Sequence, residues 1–171
     1  MKKGNKLYRF ITIIVIVLAV AINVFIIVHS CLDAAESTKA SSQVVDAIGN
    51  IINAIRPDTI NASNYDSFST FIRKAFGHFG LFMVSGLFSS LALYLSLSPY
   101  SWCKHYMNAM FSLVFGLFIG ILTEIIQLGV PGRSGEATDV LIDFSGYLFG
   151  TLIIGLIIFL VIRKMRKSER A

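Results

Sequence analysis

Five strongly polar residues, Glu124, Gln127, Arg133, Asp139 and Asp143, fall within one short stretch that joins two apolar runs. A guanidinium can clamp one or two carboxylates in bidentate fashion. Carboxylates near a histidine can move protons, and exposed cations can hold an anionic group. Ionisable groups at membrane depth are costly, so they mark a site facing a bundle interior. Upstream, Lys74 and His78 are four residues apart and share a helix face that Phe82, Ser85 and Ser89 continue. These seven residues, Lys74, His78, Glu124, Gln127, Arg133, Asp139 and Asp143, form the candidate ligand-binding cluster. Arg133, Lys74 and His78 would contact anionic groups, and the acids would position them.

The elements that carry the cluster are membrane spans. The chain has 171 residues, 55% hydrophobic and only 15% charged, with a mean hydropathy of +0.72. Crossing roughly 30 Å of hydrocarbon takes about 20 apolar residues. Four segments qualify: Leu7 to Val28, Phe79 to Leu97, Met107 to Leu128 and Val140 to Ile162. The expected fold is all-α, a polytopic four-helix membrane bundle. Its layout is a cytoplasmic N-terminus (1–6), a first span (7–29), an extracytoplasmic loop with an amphipathic helix (30–73), and a core (74–162). Core helices are expected at about 78–97, 107–128 and 140–162, followed by a basic cytoplasmic tail (163–171).

The net charge of +5 does not indicate nucleic acid, because its distribution follows the membrane. Lys2, Lys3, Lys6 and Arg9 precede the first span, and Arg163, Lys164, Arg166, Lys167 and Arg170 follow the last. Such clusters hold flanking segments in the cytoplasm and touch anionic lipid heads. With both termini cytoplasmic, ten of the fifteen basic residues lie inside, counting Lys104, and nine of the ten acids lie outside, Glu169 excepted. Arg73 and Lys74 alone pull against this assignment. The first apolar run exceeds the roughly 7–15 residues of a signal peptide, so it is expected to remain as a helix; Val28-His-Ser-Cys31 resembles a lipoprotein cleavage site only faintly.

Cys31 and Cys103 should sit on opposite faces, and neither belongs to a metal-type spacing. No metal or other cofactor is expected. Ala40, Val44, Val45, Ile48, Ile51, Ile52 and Ile55 recur at helical spacing before Arg56-Pro57. That helix could lie on the outer leaflet, act as a lid or simply cap the bundle. Asp58 to Asp66 reads as a loop, and Tyr100, Trp102 and Tyr106 read as interfacial anchors.

Small residues let helices approach closely in lipid. Gly116 and Gly120 share the stripe of Glu124 and Gln127, while Gly146 and Gly150 share that of Asp139 and Asp143. The two stripes are expected to face one another, with Val130-Pro-Gly-Arg-Ser-Gly135 turning the chain between them. Arg133 is then expected among Glu124, Asp139 and Asp143. Asp139 near a helix start and an Arg133 that neutralises hairpin acids also have a purely structural reading.

The hairpin resembles the VanZ-like membrane proteins: Glu124-x-x-Gln127, Pro-Gly-Arg133, Asp139, a polar residue four later, and Gly146 with Gly150. Arg73-Lys74 followed by His78-Phe79 is similar to the start of that family's second conserved helix, and the likeness covers about residues 70–160. Asp143 departs from it, since Asn is more usual there. The resemblance implies a multi-pass protein of the bacterial cytoplasmic membrane, in a family whose best-known member lowers susceptibility to teicoplanin. Expected partners are membrane lipids and a lipid-linked cell-wall precursor or a glycopeptide antibiotic. An enzyme acting on such a precursor, with His78 and a carboxylate as its acid–base pair, and a structural scaffold are the alternatives. Neither a phosphate-binding loop nor a Gly-x-Ser-x-Gly turn is present.

Overall fold

A computed structural model describes residues 6–97 and 102–168, with side chains of the second segment from 106 onward. Tyr100, Glu169, Arg170, Lys2, Lys3 and the side chains of Trp102, Cys103 and Lys104 lie outside the described residues. Among those described there are six α-helices, one π-helical segment and no strand. The helices are α1 (Lys6–Ser30), α2 (Ala34–Ile55), α3 (Tyr65–Ile72), α4 (Leu81–Leu97), α5 (Trp102–Leu128) and α6 (Ala137–Ser168), with the π-helix Arg73–Gly80 joining α3 to α4. Four helices are long and apolar enough to cross a membrane: Lys6–Ser30, the continuous Tyr65–Leu97, Tyr106–Leu128 and Ala137–Ser168. The chain is a multi-pass membrane protein.

Span two is longer than its apolar run. It begins at Tyr65 rather than near 78 because residues 65–77 mix polar and apolar side chains, which lowers their hydropathy without stopping a helix. The start of the expected span therefore lies inside a helix, and the loop after Pro57 ends at Asn64. Helix α6 likewise continues through Arg163 to Ser168.

Bundle packing rests on glycine, though not as the facing stripes anticipate. A side chain at Gly146 would run into the Phe79 carbonyl, and one at Gly150 into the Met83 carbonyl. Gly86 of α4 reciprocates against the Tyr147 carbonyl. Gly146 and Gly150 of α6 thus face span two, not α5. The glycines of α5 do face α6: Gly116 makes room for the Tyr147 ring, and Gly120 lies beside Asp143. The reason is rotational, because α6 touches span two and α5 on different faces. One face carries backbone contact, and the other carries the fully buried Tyr147.

Buried hydroxyls and one amide tie these helices together. Ser90 bonds Ser112 at 2.7 Å and Thr151 at 2.8 Å, and Ser112 reaches the Tyr147 hydroxyl at 3.2 Å. Asn23 of α1 donates to Ser89 at 3.1 Å and accepts from Ser85 at 3.0 Å. Interhelical bonds of this kind are worth about 0.6 kcal/mol each in a membrane, occasionally more.

Helix α2 starts on Asp33, whose carboxylate accepts the Glu36 N–H at 2.8 Å, and ends at Arg56 before Pro57. Val45 is wholly buried, and Gly49 lies against Phe68 and Ile60. Ile51 and Ile55 stay exposed, as suits a helix at an interface. Both ends are fastened. Ala34 N–H donates to Pro131 at 3.4 Å, while Asn53 exchanges two 2.8 Å bonds with Ile60 and Tyr65 donates to Asp46 at 2.6 Å.

Gly146→Val should therefore separate α6 from span two. Forcing side-chain atoms into a packed contact costs about 1–3 kcal/mol, so thermal unfolding in detergent should shift well downward. Gly155→Ala, whose added carbon meets nothing within 4 Å, should leave the melting temperature unchanged or raise it slightly.

Candidate functional site

The α5–α6 hairpin is built by local sequence. Arg133 N–H donates to the Val130 carbonyl at 3.2 Å, closing a turn around Pro131 and Gly132. Gly132 has φ +72°, the left-handed geometry that a Pro-Gly pair supplies at the centre of such a turn. Glu124, one turn before the end of α5, accepts the Glu136 N–H on Oε2 at 2.8 Å. This bond fastens the start of α6 to the end of α5.

Span two meets this hairpin through its π-helix. Such segments are rare and frequently sit at functional sites. Lys74 Nζ lies 2.6 Å from Asp139 Oδ1 and 3.1 Å from Glu136 Oε2. His78 Nδ1 lies 3.0 Å from Asp143 Oδ1, and its Nε2 is 3.6 Å from Asp139 Oδ2. The Lys74 ammonium, followed by the Thr138 hydroxyl, holds the Glu136 carboxyl below the ordinary carboxylate range. Glu124, Gln127, Asp139 and Asp143 are all buried.

The structure thus brings six of the seven candidate residues into one group, with Glu124, Gln127, Asp139 and Asp143 buried and Lys74 and His78 partly exposed, and with Arg133 at its edge and differently engaged. The expectation that Arg133 sits among the acids as their clamp is corrected. Among the described residues no carboxylate pairs with it, and its guanidinium donates to the Leu32 carbonyl at 3.4 Å. Lys74 holds Asp139 together with Glu136, and His78 holds Asp143, because the π-helix brings both side chains across to α6. Burial lowers the Arg133 pKa, and the neighbouring Arg73 lowers it further. Lys74, expected to meet an anionic ligand, is already committed to two carboxylates.

Beside the cluster lies a cavity of about 290 Å³. Its floor is polar, with Thr123, Gln127, His78 and Asp143, and its walls include Ile26, Val44, Ile72, Leu81 and Phe82. Helix α2 roofs it with Ser37, Ala40, Ser41 and Val44, so of the placements open to this helix the structure shows a strap over the pocket. Phe25 and Phe76 line the side and are 52% and 57% exposed. Arg133, Arg73 and His29 bring basic groups to the same space. A second cleft of about 220 Å³ shares Arg133 and His78 with it and is lined by Lys74, Glu136 and Asp139 among others.

Sequence reasoning missed Glu136 as the second partner of Lys74, and it missed His29 and Arg73 as pocket residues. Glu136 follows a Gly-Arg-Ser-Gly turn and looks like a solvated loop acid. His29 ends a span whose other residues give no sign of a site. Arg73 had one available signal, its place beside Lys74 at the head of a helix that carries His78.

The family model described as VanZ/LLP1 matches residues 12–160. It takes in most of α1 and all of α2 as well as the hairpin, so the roof and most of the first span fall within the match. No curated protein and no solved structure matches the chain. With a matched region that covers most of its length, from within the first span to residue 160 in the fourth, the chain belongs to the VanZ-like family.

Proposed function

We propose that the chain is an envelope protein that binds an anionic, acyl-tailed ligand in the cavity beneath α2. The observation that carries this reading is the pairing of apolar walls with a guanidinium that, among the described residues, forms no direct ion pair with a carboxylate. Arg133 at the rim would take a phosphate or carboxylate, in the bidentate manner a guanidinium favours. Arg73 adds a second positive charge. The tail would lie along Ile72, Leu81 and Phe82 and leave beside Phe25 and Phe76. Lys74 and His78 would hold Asp139 and Asp143 in place, and the acids would keep the floor polar.

The basic residues at the start of α1 and the end of α6 favour a cytoplasmic location for both termini. The pocket then faces outward, in the cytoplasmic membrane of a bacterium. Ligands of the required chemistry on that side include a lipid-linked wall precursor and a lipid-tailed glycopeptide such as teicoplanin. Lowered glycopeptide susceptibility is the corresponding cellular role.

Binding of a fluorescent acyl-tailed anionic lipid to the purified protein tests this. A hydrogen bond to a charged group is worth about 1.5–3 kcal/mol, so Arg133→Ala should weaken binding roughly 10- to 100-fold. In cells, the same variant should abolish any shift in teicoplanin susceptibility produced by overexpression while membrane abundance stays constant. Unchanged affinity and susceptibility would sink the reading.

The 3.0 Å His78–Asp143 pair on the pocket floor favours a second reading, acid–base chemistry on a lipid-linked substrate. Lipid extracts from expressing and non-expressing cells separate the two. A new or depleted lipid species that disappears with His78→Gln indicates an enzyme, and identical extracts indicate binding.

A further inference from the structure

The buried cluster is not electrically closed. Four carboxylates, Glu124, Glu136, Asp139 and Asp143, meet one ammonium, Lys74, and one imidazole, His78. Glu136 is exposed and solvated, but the other three acids are buried. Glu124 has no cationic partner among the described residues, only the Glu136 N–H on Oε2. Its other oxygen, Oε1, is buried without any hydrogen-bond partner, and so is Asp143 Oδ2. Glu124 is 5% exposed and Asp143 1%. Buried carboxylate oxygens require a cation, a donor or a proton.

The three helices bring these groups to one point. His78, Glu124 and Asp143 each present a ligand-type atom, and the atoms lie within 4.8 Å of one another. A tetrahedral ion with bonds of about 2.1 Å needs donors ~3.4 Å apart, so inward movement of about an ångström closes the set. His78 is already oriented for such a role. Its Nδ1 faces Asp143, while Nε2 lies 3.6 Å from Asp139, and Asp139 is held at 2.6 Å by Lys74. A carboxylate on the far nitrogen is the usual support for a metal-bound imidazole.

We propose that His78, Glu124 and Asp143 form a divalent-cation site at the floor of the cavity, with Zn²⁺ the ion that fits its donors. Nitrogen from imidazole together with two carboxylates suits Zn²⁺, whereas Mg²⁺ and Ca²⁺ favour all-oxygen sets. Two carboxylates supply the charge that a 2+ ion neutralises. Three protein donors leave a fourth position open. His78 and Asp143 line the cavity, so that position faces it and can accept an anionic oxygen. The site stands on donor geometry whether or not the cavity takes a lipid.

Zinc binding to the full-length protein, purified in detergent and stripped with a chelator, tests the assignment without any lipid ligand. Dialysis against Zn²⁺ followed by elemental analysis should give about one ion per chain. Glu124→Gln and Asp143→Asn each keep the shape of the side chain and remove a donor charge. Each should weaken binding by roughly 100-fold or more, since even loss of a supporting partner costs 10- to 100-fold. Asp46→Asn, on α2 and paired with Tyr65, should bind as the parent does. Substoichiometric zinc in the parent protein, or undiminished zinc in both charge variants, overturns the proposal. Should the variants fail to remain monodisperse, the parent's stoichiometry alone decides. Preference for Mg²⁺ over Zn²⁺ in competition overturns the choice of ion.

Discussion

Everything at the site depends on how closely span two and α6 approach, and three glycines set that distance. Gly146 and Gly150 admit the carbonyls of Phe79 and Met83, and Gly86 admits that of Tyr147. Lipid tails are as apolar as leucine, so packing and hydrogen bonds rather than water exclusion hold membrane helices together. Backbone against backbone also fixes register, because a carbonyl fits where a side chain is missing and nowhere else along the helix. That register sets Lys74 opposite Asp139 and His78 opposite Asp143. Sliding either helix by one turn, about 5.4 Å, would leave carboxylates facing apolar neighbours.

The polar cluster is therefore maintained by the packing more than it maintains the packing. A buried ion pair recovers its desolvation cost only with good geometry and further hydrogen bonds. Lys74 meets that condition with two acceptors, and Glu124 meets half of it with one backbone N–H. The hydroxyl network of Ser90, Ser112, Thr151 and Tyr147, by contrast, is mutually satisfied. Two polar systems in one bundle thus differ in kind. One is closed and structural, and the other keeps orphaned oxygens beside a cavity.

The four spans and the hairpin turn were legible because each is written locally, in hydropathy or in a Pro-Gly pair. The membership of the cluster was also legible, since polar residues stand out against apolar stripes. Pairings within it were not. The stripe pattern says which face of a helix is polar but not which neighbour it meets, so Arg133 was matched to Asp139, which Lys74 holds, and to Asp143, which His78 holds. The π-helix was invisible for a related reason: nothing in Arg-Lys-Ala-Phe-Gly-His-Phe-Gly separates it from an α-helix without its packing partner. The donors His78, Glu124 and Asp143 lie on three different helices, and spacing rules for metal ligands apply within one segment.

The roof over the cavity is a strap fastened at both ends, to Pro131 on one side and to the 60–65 segment on the other. A strap of this kind does not swing open like a flap. The half-exposed Phe25 and Phe76 mark the side of the cavity, where α1 presents other lipid-facing residues. On the proposed reading, a ligand arriving there would come out of the bilayer and not out of water. Occupancy of a cavity filled in that way would be governed by partitioning: the mole fraction of a molecule in the leaflet, and its two-dimensional diffusion within it, rather than its aqueous concentration. A compound with a long acyl chain would then gain access in proportion to how well it dissolves in the membrane, before any contact with the protein has been made.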